Sequence, residues 1–93
     1  MVSVHRYTFK TQNGTSYLVE AEVRLFRHDP KWFILQGKKR TNFTHVLGGE
    51  KFDYVTASYL VDPNKFIGCK LHPDGDRYHQ PITDTIVEVL KVE

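Results

Sequence analysis

The stretch that decides the fold is Val2-Ser3-Val4-His5-Arg6-Tyr7-Thr8-Phe9-Lys10-Thr11, which is followed, after Gln12-Asn13-Gly14, by a second run from Ser16 to Phe26. Both runs are rich in β-branched and aromatic residues that alternate with polar ones, the pattern of two half-buried strands. Asn13-Gly14 marks the turn between them. Two registers compete. A two-residue turn sets Lys10 against Tyr17 and Arg6 against Ala21, which mixes polar and apolar residues on each face. A three-residue loop, with Gly14 in the left-handed position, sets Thr11 against Thr15. His5, Tyr7 and Phe9 then share a face with Tyr17, Val19, Ala21 and Val23, and Arg6 lies opposite Glu20 on the other side. A slip of one residue inverts every side chain, so the burial pattern selects the three-residue loop.

Working outward, His28-Asp29-Pro30 reads as a turn, Trp32–Gln36 as a short apolar strand and Gly37-Lys38-Lys39-Arg40 as a basic turn. Phe43–Leu47 reads as another strand, ended by Gly48-Gly49. Lys51–Val61 fits neither strict alternation nor a helical stripe, and its β-branched and aromatic content tilts it to strand. Asp62-Pro63-Asn64 is a turn signal, and Lys65–Leu71 alternates with Ile67, Cys69 and Leu71 on one face. His72–Pro81 reads as a polar loop. The last segment, 83–92, is balanced between a helix capped by Thr83 or Asp84, with Ile86, Val87 and Leu90 on one face, and a strand carried by Val87-Glu88-Val89. The expected class is mainly β: a small antiparallel barrel or sandwich of about six short strands, with room for one short helix and an α+β arrangement as the alternative.

Ninety-three residues make one domain over 1–93. The 40% hydrophobic, 26% charged and 13% aromatic content is that of a folded globular chain rather than a disordered one. Thirteen basic residues against eleven acidic ones give a net charge of only +2, which does not by itself call for nucleic acid. The lone cysteine, Cys69, forms no internal disulfide, which favours a reducing, cytoplasmic setting. The sequons at Asn13 and Asn42 read as chance in that setting, and no stretch resembles a signal peptide or approaches the roughly 18 apolar residues of a membrane helix.

Four features carry candidate chemistry. His72, Asp74, Asp76 and His79 supply imidazole and carboxylate ligands within one loop, but their spacing matches no established metal motif, and Pro73-Asp74-Gly75 is ordinary turn chemistry. Lys38, Lys39 and Arg40, with Trp32 before and Phe43 after, combine cations with rings in the manner of a nucleic-acid surface. Five histidines and Cys69 are available for acid–base or nucleophilic work, yet none sits in a catalytic motif, and Cys69 lies among apolar neighbours. Finally, twelve aromatics exceed what one thin core holds easily, and Tyr54, Tyr59, Phe66 and Tyr78 fall in or near turns. Tyrosine and arginine are the residue types that anchor protein interfaces.

The expected function is therefore a small, non-enzymatic binding module that engages another protein, as an inhibitor, adaptor or accessory protein of the kind a phage or mobile element encodes, or within a homo-oligomer. Its contacts would come from Trp32, Lys38, Lys39, Arg40, Phe43, Asp74, Asp76, Arg77 and Tyr78. A small-barrel nucleic-acid binder using the basic and aromatic patch is the first alternative. A histidine-dependent hydrolase or metal-binding protein is the second. No cofactor and no membrane partner are called for.

Overall fold

The computed structural model describes residues 2–24, 29–73 and 80–93. The first two strands, β1 (Val2–Thr11) and β2 (Ser16–Arg24), pair antiparallel in the three-residue register, with His5 against Ala21, Tyr7 against Val19 and Phe9 against Tyr17. Gly14 takes φ 87°, the left-handed conformation that strains any residue with a Cβ. The Thr11 N–H donates to the Thr15 carbonyl at 2.9 Å, and the Asn13 side chain accepts from the Thr15 N–H at 3.2 Å, which locks the loop. Tyr7, Phe9, Val19 and Ala21 are buried as the alternation requires. His5 shares their side of the hairpin but is exposed, because the core does not extend as far as that end of β1.

The meander continues through β3 (Lys31–Gln36), β4 (Lys39–Gly48) and β5 (Lys51–Tyr54). The basic turn is shorter than its composition suggests: only Gly37 and Lys38 turn, while Lys39 and Arg40 already pair with Gln36 and Leu35. The stretch Lys51–Val61 is a strand only as far as Tyr54; Ser58–Val61 forms a one-turn helix, α1. Pro63–Phe66 is a 3-10 turn, with the Asp62 side chain accepting from the Asn64 N–H at 3.2 Å. Hence Lys65–Leu71 is not one alternating strand. Ile67 is 45% exposed, Gly68 turns the chain at φ 88°, and β6 begins at Cys69 and ends at Pro73, so His72 and Pro73 belong to a strand rather than a loop. The last segment is a strand, β7 (Ile86–Val92).

The sheet runs β5-β4-β3-β2-β1-β7, with β6 also on β4, and every pairing is antiparallel. Its long strand, β4, makes it curl. β3 pairs with Lys39–Phe43, whereas His45–Gly48 is held by β5 on one edge and β6 on the other. The result is a half-barrel of seven strands rather than a closed one, so strand edges survive at β5 and β7.

What fills the open interior is the segment between β5 and β6. Phe66, fully buried, sets its ring 5.0 Å from Phe9, 5.2 Å from Trp32, 6.5 Å from Phe43 and 4.7 Å from Tyr59. It is the plug of the half-barrel. Each fully buried ring contributes about 1.5–3 kcal/mol of transfer free energy, so a single turn of chain takes the place of the missing strands. Tyr59 and Phe66 are therefore core residues, not surplus surface aromatics. Among the described residues, no helix is long and apolar enough to cross a membrane.

Candidate functional site

With Tyr7, Phe9, Trp32 and Phe43 turned inward, the intervening residues of β1–β4 form the exterior face. Register places Arg6, Glu20, Phe33 and Asn42 side by side in one row, and Thr8, Leu18, Leu35 and Arg40 in the next. A charged network lies across these rows. Arg6 Nε sits 3.0 Å from Glu20 Oε1, Arg40 Nε sits 3.9 Å from Glu20 Oε2, and Arg40 Nη2 bonds Glu22. To reach both carboxylates, Arg40 crosses β3, and its guanidinium carbon stands 3.5 Å from the centre of the Phe33 ring. The two carboxylates are largely shielded, at 15% and 19% side-chain exposure, while the arginines keep 50% and 42%. At this exposure each pair is worth about 0.2–1 kcal/mol, and the stack over Phe33 about 0.5–1 kcal/mol more. Val2, Val4 and Leu18 stand exposed on the same face.

Beside Phe33 and Asn42 the surface dips into a trough. Two depressions of about 450 and 590 Å³ share Pro30, Thr44 and Val55; the first opens by Lys31 and Phe33, the second by Asp29, His45, Tyr54 and Thr56. The trough lies where β4 changes face. Against β6 the register shifts between Phe43 and His45, leaving Thr44 as an extra residue, and beyond it the adjacent residues His45 and Val46 are both buried. Such a bulge re-aims the side chains beside it. His45 lies against Tyr54 with ring centres 4.3 Å apart, and its Nδ1 is 2.9 Å from the Thr44 hydroxyl. Tyr54 forms the rim at 65% exposure.

Of the residues expected to bind, Lys38, Lys39 and Arg40 sit at the tip of the β3–β4 hairpin, and Arg40 is drawn into the carboxylate network. Trp32 and Phe43 require a correction. Both rings are buried in the core, 6.1 Å apart and packed on Phe66, so neither is available to stack on a base or a partner. His72 lies buried on β6, directly across from His45 and 4.9 Å from the Phe52 ring. Asp74, Asp76, Arg77, Tyr78 and His79 lie outside the described residues. Among the described residues no three His, Cys, Asp or Glu side chains gather as a metal site. Cys69 is half-buried; burial, reinforced by the negative charge of Asp53, raises its pKa and suppresses the reactive thiolate.

The residues that build this face and that reading for motifs passed over are Leu18, Glu22, Phe33 and Leu35. Their only sequence signal is that they occupy the polar-side phase of strands whose other phase is core. Compared with models of protein families, with curated proteins and with solved structures, the chain finds no match. Its function must be argued from this surface.

Proposed function

We propose that the chain is a non-enzymatic protein-binding module, and that it engages its partner through the exterior face of β1–β4 together with the adjoining trough. The observation that carries this reading is the arginine clamp: Arg40 stacked on Phe33 and anchored between Glu20 and Glu22, in one row with exposed Leu18, while exposed Tyr54 lines the far part of the trough. Arginine and aromatic side chains held in one geometry lose little further conformational entropy on binding, which is why they dominate interface energetics. At the centre of the face the two arginines are already paired with Glu20 and Glu22 and so are not free for phosphate, whereas a protein can meet alternating charges with charges of its own.

The test is capture from the native cell by the wild-type chain and by an Arg40→Ala, Tyr54→Ala variant whose circular dichroism is unchanged. The expected result is a protein held by the wild type, insensitive to nuclease, and released by the double variant. An identical set of proteins on both, or material lost on nuclease treatment, overturns the reading. Light scattering across concentrations identifies a second copy of the chain as that partner.

A further inference from the structure

The charges of this protein are not evenly spread. The strands β1–β4 and β7 and the Gly37-Lys38 turn together carry eight of the eleven described lysines and arginines and three of the nine described carboxylates. The remaining described residues carry three cations, Lys51, Lys65 and Lys70, against six carboxylates. The net charge of +2 thus resolves into an excess of five positive charges on β1–β4, β7 and the Gly37-Lys38 turn and an excess of three negative charges on the other described residues.

Position on the sheet sharpens the point. Arg6 and Arg40 are neutralised at the centre by Glu20 and Glu22. Lys10, Arg24, Lys31 and Lys38 make no ion pair among the described residues, are all exposed, and stand at the ends of strands or at the hairpin tip, around the perimeter of the same face, whereas Lys39, paired with Gln36, falls on the opposite side of β4. The centre between them holds Leu18, Phe33 and Leu35. We infer that the partner is a protein whose docking surface is apolar at its middle and acidic at its rim, and that Lys10, Arg24, Lys31 and Lys38 select and steer it. This inference rests on the protein-binding reading and adds to it the chemistry of the partner. A desolvated apolar centre with a charged rim is the anatomy of a protein interface. Nucleic acid calls for cations along a continuous track, with no carboxylates in its path. Rim charges act mainly on the association rate, and their effect is screened by salt.

The probes are a glutamate homopolymer and an oligothymidylate of the same charge, titrated into the isotope-labelled full chain. At about 50 mM salt the homopolymer should shift the amide signals of Lys10, Arg24, Lys31 and Lys38 while leaving those of Lys51, Lys65 and Lys70 in place. At about 300 mM salt its affinity should fall roughly tenfold. A Lys10→Gln, Arg24→Gln, Lys31→Gln, Lys38→Gln variant, which replaces only exposed side chains, should lose the response. Shifts at Lys51, Lys65 and Lys70 instead, or an undiminished response in the variant, overturn the inference. Tighter binding of the oligothymidylate overturns both the inference and the protein-binding reading. A captured protein that is released by Arg40→Ala, Tyr54→Ala yet holds the glutamine variant as tightly as the wild type overturns the acidic rim alone.

Discussion

β1 and β7 lie side by side, pair with each other and cover the same core, yet they do so with different periods. In β1 the inward residues Tyr7, Phe9 and Thr11 are two apart. Opposite them stand Val92, Val89 and Ile86, which are three apart. The difference comes from two register shifts: Leu90 is an extra residue between the pairs Thr8–Lys91 and Phe9–Val89, and Val87 is another between Lys10–Glu88 and Thr11–Ile86. A strand bulged at every second pair therefore mimics the spacing of a helical face. The helical face expected from Ile86, Val87 and Leu90 is not formed: Val87 and Leu90 are the two extra residues, both exposed, and Ile86 alone of the three is buried. The bulges also have a use, since extra twist on an edge strand discourages pairing with another molecule.

Four measurements break or sharpen this contrast. The largest effect is expected from deleting Thr8 in β1, which would throw Tyr7 or Phe9 out of the core and abolish cooperative urea unfolding. Deleting Leu90 in β7 removes a residue that carries no core side chain and restores a regular register; it should cost only about 1 kcal/mol. Equal costs would show that the bulge is not a spare residue. Next, Phe9→Ala should lower unfolding free energy by about 3–5 kcal/mol, and Ile86→Ala by about 2–5 kcal/mol, if the bulged strand is as firmly part of the core as its regular neighbour.

The third measurement concerns the plug. Burial, and then the charge of Asp53, push the Tyr59 hydroxyl from 10.0 up to about 12, and that hydroxyl donates to Asp53 Oδ2 at 3.5 Å. A hydroxyl that stays protonated longer in the folded state than in the unfolded one stabilises the fold below pH 10 and loses that contribution as pH rises towards 12. Urea midpoints should fall over that window by an amount equivalent to about 1 kcal/mol. The fall should shrink in Tyr59→Phe, and an unchanged fall would mean that Tyr59 is not buried by the plug. The smallest effect belongs to the regular half: Arg6→Ala should cost about 0.2–1 kcal/mol, less in high salt, because its partner Glu20 retains Arg40.

These comparisons explain which parts of the molecule could be read in advance. The hairpin was legible to the residue, including the pairing of Arg6 with Glu20, because its register follows from a local turn and from alternation over many residues. The strand at Trp32–Gln36 and the stop at Gly48-Gly49 were legible for the same reason. Of the segment from Val55 to Leu71 only the turn at Asp62-Pro63-Asn64 was. Its helix and 3-10 turn are only four residues each, too short for any periodicity, and they exist because Tyr59 and Phe66 have an aromatic cavity to enter. The candidate site was half legible. Arg40 and the lysines were recognisable as a basic run, but Trp32 and Phe43 were mistaken for surface rings, because residue type alone does not say which face of a strand turns inward.

Left to itself, the order of residues determined the β class, the first turn, the first register and the small net charge, all of which depend on neighbours along the chain. Only the folded molecule decided that the sheet stops at a half-barrel, that Phe66 fills it, and that β7 is bulged. The same holds for the way in which β1–β4, β7 and the Gly37-Lys38 turn bring eight of the eleven described cations together. The physical reason is common to all four: each depends on contacts between residues far apart in the chain, and the free energy of those contacts exists only once strands from both halves have met.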